Sequence, residues 1–163
     1  MGFFCCGDAV MARRLTAAVI ALVASMLVAC SDKDVVTETY ATVEEAVSAG
    51  AVERGWVPRG LPPSTRELRE AHDIDSNRRW GLFNFPPEEG DHLRKLIADP
   101  GQGGESKPLT CDIPARIEWW PVLLRGSIPA DRVTDAGLSV HRTHDGMNLV
   151  VNWRQGRAYY WQE

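Results

Sequence analysis

With 163 residues and a formal charge of −4, the chain is sized for a single domain. Its Lys and Arg are scattered singly through an acidic body, so it lacks the clustered positive charge by which nucleic-acid binders hold phosphates. No nucleic-acid partner is expected, and nothing in the composition points to a cofactor.

The first readable element is a leader. Arg13 and Arg14 precede an almost unbroken apolar run over residues 15–29, the charged and apolar anatomy of an export signal. At about fifteen residues the run is short for a membrane span, which needs roughly twenty. It ends in Leu27-Val28-Ala29-Cys30, which resembles the lipobox cut by lipoprotein signal peptidase. The reading is a signal peptide over residues 1–29, cleaved between Ala29 and Cys30, with the Cys30 sulfur carrying lipid and fatty acyl chains such as palmitate. Met11 stands where such a signal would normally begin, so residues 1–10 are set aside. Twin-arginine export fits Ala12 and Leu15-Thr16 poorly, and ordinary Sec export is the better reading.

Export sets the later expectations. Removing Asp8, Arg13 and Arg14 with the leader leaves a body of charge −5. Cys5 and Cys6 also leave with it and Cys30 goes to lipid, so Cys111 is the single remaining thiol and no internal disulfide is expected. A lone cysteine is more often a buried apolar residue than a reactive one. The address is the cell envelope: the periplasmic face of the outer membrane if the source has two membranes, as Ser31 after the cysteine suggests, and otherwise the outer face of the cytoplasmic membrane.

Residues 30–39 read as a polar, lipidated tether, and residues 40–163 as one α+β domain. Thr42 can cap a helix with Glu45 at the capping-box spacing, followed by an apolar stripe of Ala46, Val47, Ala51 and Val52 and an end near Arg54-Gly55. The prolines and glycines of residues 55–63 exclude a continuing helix, leaving an ordered irregular segment anchored by Trp56, Val57 and Leu61. Residues 66–85 suggest two strands joined near Asp75-Ser76-Asn77. In the first, Leu68, Glu70 and His72 share one face and Arg69, Ala71 and Asp73 the other, so alternation gives little support and a short helix stays open.

Pro86-Pro87-Glu88-Glu89 opens a second helix, with acids at its positive end and Arg94-Lys95 toward the other. Residues 99–107 are a glycine-rich loop. The apolar stretch over residues 119–124 is a short helix or an irregular clasp. Three strand-like runs close the chain, over residues 138–144, 147–153 and 157–162, with tight turns expected at Asp145-Gly146 and Gln155-Gly156. The expected architecture is an antiparallel sheet with a C-terminal three-stranded meander and two or three helices packed on one side of it.

Four sets of residues can carry function. His141 and His144 are metal-ligand types, but at a spacing of three on a strand they point to opposite faces, so no metal site is assigned. His72, Asp73, Asp75 and Asn77 carry calcium-type oxygen ligands without the glycine and distal glutamate of a calcium loop, and a turn held by Asp and Asn side chains is the simpler reading. Cys111 with His141 or His144 supplies the parts of a thiol nucleophile and base for a small hydrolase-type enzyme, without a local signature. Six tryptophans are many for so small a body, and aromatics serve recognition surfaces as well as cores. Trp56, Trp80, Tyr159, Tyr160 and Trp161 are therefore the candidate binding surface for an envelope protein or cell-wall partner. The expected role is a non-enzymatic binding module, and no catalytic residue is assigned.

The segment over residues 40–86 resembles the YbbD head domain of bacterial lipoproteins. The resemblance rests on Glu53-Arg54-Gly55-Trp56-Val57-Pro58, Leu61-Pro62-Pro63-Ser64, His72-Asp73-Ile74-Asp75-Ser76-Asn77 and Gly81-Leu82-Phe83. It implies an exported, lipid-anchored protein of this fold and carries no catalytic residue across.

Overall fold

A computed structural model describes residues 34–98 and 109–163. The leader, Cys30 and the glycine-rich loop lie outside the described residues. One unit spans Asp34–Glu163. Its centre is a six-stranded antiparallel sheet built from β1 (Val35–Thr42), β2 (Arg66–Asp73), β3 (Arg79–Asn84), β6 (Ser139–Arg142), β7 (Asn148–Asn152) and β8 (Arg157–Gln162), in the order β1-β2-β3-β8-β7-β6. The C-terminal meander is present, and pairing of β8 with β3 joins it to an N-terminal meander. A separate ribbon pairs β4 (Leu109–Cys111) with β5 (Gly126–Ile128).

Strand β1 corrects the tether. Residues 35–39 are paired with β2 in unbroken register from Val35↔Asp73 to Tyr40↔Leu68, and Val35 and Tyr40 are buried. The strand was hidden because Thr37, Glu38 and Thr39 are exposed, which reads as a solvated polar run.

The first helix, α1 (Val43–Ser48), starts as expected: the Thr42 side chain accepts the Glu45 N–H at 3.3 Å, and the Glu45 carboxylate accepts the Ala41 N–H at 2.8 Å. It stops well short of Arg54. Gly50 takes φ +76°, and the bonds Ala51 N–H to Ala46 O and Gly50 N–H to Val47 O close a Schellman motif. After β3, Pro87–Glu89 forms a 3-10 turn leading into the short α2 (Gly90–Arg94), which buries Leu93. A third helix, α3 (Ala130–Asp135), was not anticipated, and Val122–Leu124 is a 3-10 turn, in keeping with a short helix there.

The helices do not share one side of the sheet. One face packs Leu68, Phe83, Leu149 and Tyr160 against α1, α2 and the segment carrying Val57 and Leu61. The other packs Trp80, Val150 and Trp161 against Cys111, Ile117, Trp120, Leu124 and α3's Val133. Both faces are covered because successive residues of the central strands are apolar: β3 and β7 bury every interior position. Trp120 meets the edges of Tyr159 and Trp161 at near-right angles, and its indole N–H donates to Leu124 O at 2.9 Å. Trp161 donates to Thr110 O at 2.9 Å. Three of the six tryptophans, Trp80, Trp120 and Trp161, are thereby accounted for as core.

Candidate functional site

Three of the five residues expected on a binding surface are fully enclosed. Trp80, Tyr160 and Trp161 have no exposed area, because burial of both sheet faces leaves no outward side for them. Trp56 and Tyr159 are half-buried. The structure groups Trp56 with His72, from the cluster read as a turn, and with Arg54 and Glu70, which belonged to no candidate set.

The site is built on one row that crosses the whole sheet: Glu38, Glu70, Gly81, Tyr160, Leu149 and His141, each directly opposite the next. In a half-covered antiparallel sheet such a row is apolar on its inner face. Here it places Glu70, with no exposed area, beneath the irregular segment that follows α1. His72, two residues on and on the same face, donates from Nδ1 to Glu70 Oε2 at 3.0 Å. Among the described residues, Glu70 Oε1 has no hydrogen-bond partner. Leaving a buried carboxylate oxygen unmatched costs about 1–3 kcal/mol, so the group needs a reason to be retained. Burial pushes the Glu70 carboxyl up, with the His72 hydrogen bond and charge pulling back and Glu38 adding to the rise.

Above this pair the aromatic planes stack. The His72 and Trp56 rings lie 3.5 Å apart and 10° from parallel, and the Arg54 guanidinium sits 4.1 Å from the Trp56 ring centre on the Trp56 indole. The segment from Ala49 to Trp56 is held at three carbonyls. Arg54 donates to Ala49 O at 2.6 Å, Arg79 to Gly55 O at 2.6 Å, and Tyr160 Oη to Trp56 O at 3.0 Å. Burial and the nearby Glu70 charge push both the Tyr40 and Tyr160 phenols up, so both stay protonated at neutral pH. A groove of about 550 Å³ opens beside the stack, walled by Val36, Glu38 and Tyr40 of β1 on one side and by Arg54 and Trp56 on the other. A second groove of about 470 Å³, between Val47 and Leu61, is apolar and holds no such convergence of charged and aromatic groups.

The remaining candidates do not assemble. Asp73 closes its turn: Oδ1 accepts the Asp75 and Ser76 N–H groups and Oδ2 accepts Arg78 at 3.1 Å. Burial raises the Asp73 carboxyl, but the hydrogen bonds from Ser76, Arg78 and Asp75 outweigh it and hold the group at about 2. These oxygens are engaged with the protein, which is the turn reading of that cluster. His141 packs edge-on to Trp153 and bonds Ser139 Oγ at 2.8 Å, while His144 is exposed at the following turn. Burial pushes the His141 imidazole down. Among the described residues no group of three or more His, Cys, Asp or Glu is placed to hold a metal ion.

Cys111 is fully buried in the cluster under the opposite face of the sheet from Leu149, the cross-strand neighbour of His141. The structure therefore does not bring it to His141 or His144. Burial, with Glu163 adding to it and Trp80 offsetting part, pushes its thiol up to about 12. Such a thiol is protonated and inert at neutral pH.

Residues 34–84 match the family model of the YbbD head domain, so this segment is a YbbD head-like domain. No curated protein and no solved structure matches the chain. The match spans β1 to β3 and contains Glu38, Arg54, Trp56, Glu70 and His72. Tyr160, which pins Trp56 from beneath, comes from outside it.

Proposed function

We propose that the protein is a lipid-anchored, non-enzymatic binding module of the cell envelope, and that the groove beside Trp56 is where it meets its partner. The observation that carries the reading is the stack of exposed Arg54, half-buried Trp56 and buried His72 over Glu70, whose Oε1 is unbonded among the described residues. An aromatic whose own carbonyl and that of the preceding Gly55 are both held presents area at small entropic cost, which is how recognition anchors are made. The burial of Cys111 in the cluster opposite Leu149, the cross-strand partner of His141, supports the non-enzymatic reading. The anchor at Cys30, the export route and the envelope address rest on the leader alone.

Hydrogen–deuterium exchange tests the assignment. The full chain is compared in isolated membranes of the cells that produce it and after purification in detergent. Slower exchange over residues 49–57 in the membranes than after purification is the expected outcome. Equal exchange there, with protection confined to residues 119–128 under the other face, would place the partner elsewhere.

A further inference from the structure

The two edges of the sheet are not alike. At the β6 edge, the chain after α2 closes over the strand end, through an Ile97–Thr143 bridge and the bond from Ala98 N–H to Arg142 O at 2.8 Å. At the other edge, β1 runs for eight residues, and among the described residues no strand pairs with its outer side. Exposed edges of this length are normally shortened, bulged or covered, because a row of free N–H and C=O groups templates another strand. The bulge in this meander sits one strand inward, where Glu67 of β2 takes φ +52°, and leaves the β1 edge itself regular through Tyr40.

The groove runs along this same edge. Its β1 wall is Val36, Glu38 and Tyr40, every second residue, which is the spacing at which the side chains of an added strand would follow. We infer that β1 binds an extended peptide segment of a partner by strand addition, with a lysine or arginine of the peptide lying beside Glu38 in the groove. This rests on the groove being the binding site. The charge is chosen by what is unmatched: Glu38 is exposed at mid-strand and directly opposes buried Glu70, whose Oε1 has no hydrogen-bond partner among the described residues. Arg54, whose charge acts on Glu70, is already bound to Ala49 O and stacked on Trp56. A second copy of this chain is the poorer occupant, because antiparallel addition about the midpoint of β1 would set two Glu38 carboxylates on strands about 4.8 Å apart. Main-chain bonds supply affinity in such additions and alternate side-chain pockets supply specificity.

The test selects a displayed library of random nine-residue peptides on the full chain in detergent and measures synthetic versions by fluorescence polarisation. Expected are proline-free peptides with a lysine or arginine at one fixed position among β-branched residues. Binding should fall at least tenfold when a β1-facing peptide amide is N-methylated. It should fall similarly in Glu38→Lys, with unfolding of that variant unchanged. Failure to select any peptide, selection of acidic or proline-rich ones, or indifference to N-methylation overturns strand addition. Membrane exchange protection over residues 49–57 alongside any of those results would keep the groove as the binding site and reject only the edge.

Discussion

The ring of Tyr160 lies across the backbone of Gly81, its directly opposed neighbour on β3, and occupies the space where a Cβ at that position would stand. That passage lets the phenol reach over β3 to Trp56 O. Glycine at position 81 is thus required by close approach. Gly81→Ala is expected to cost about 3 kcal/mol or more in urea unfolding, through overpacking and a displaced ring. The cost should shrink markedly in a Tyr160→Ala background, since the two substitutions remove one interaction. Equal costs in both backgrounds would mean the ring is not what excludes a side chain.

Cys111 should resist alkylation while the protein is folded. With its thiol held at about 12, only about one molecule in ten thousand carries a thiolate at pH 8, against roughly a quarter for an ordinary cysteine. Iodoacetamide labelling is expected to follow global unfolding across a urea series. Fast labelling of the folded chain would contradict its burial.

Two carboxylates should give pH dependences of opposite sign. Asp73 is held below its ordinary value, so its contribution is present above about pH 4 and is lost as pH falls toward 2. The stability difference between the native chain and Asp73→Asn should therefore narrow on acidification. Glu70 is held above its ordinary value, so its contribution is present below that value and lost as pH rises through the raised one. Relative to the native chain, Glu70→Gln should gain stability as pH rises from 4. Parallel curves for either variant would count against the assignment.

The leader predicts a mature N-terminus at Cys30 carrying thioether-linked lipid. Mass spectrometry of membrane-extracted protein should find it, and Cys30→Ala should release the chain from membranes or leave it unprocessed. An unmodified thiol at that position would remove the anchor from the account.

The sequence showed the capping box at Thr42 and the strand-like runs that close the chain, because each follows from local spacing. It did not show the site. Glu70 and His72 look like noise in the alternation of β2, since a buried acid on an inner face breaks the pattern that identifies strands. Their meaning depends on Trp56, which comes close only through tertiary packing. The aromatic surface was overestimated for a related reason: residues 109–138 have weak local periodicity, so nothing local showed that they cover the second face and enclose Trp80 and Trp161.

The most direct measurement of the central claim is photo-crosslinking in cells. A photoreactive residue is placed at Ile74, an exposed wall of the groove outside the stack, and for comparison at Val122, which is 83% exposed and carried by the segment under the opposite face. The account predicts a discrete crosslinked species from position 74, lost in a folded Trp56→Ala variant, and none from position 122. Crosslinks from position 122 alone, or from position 74 regardless of Trp56, would contradict it.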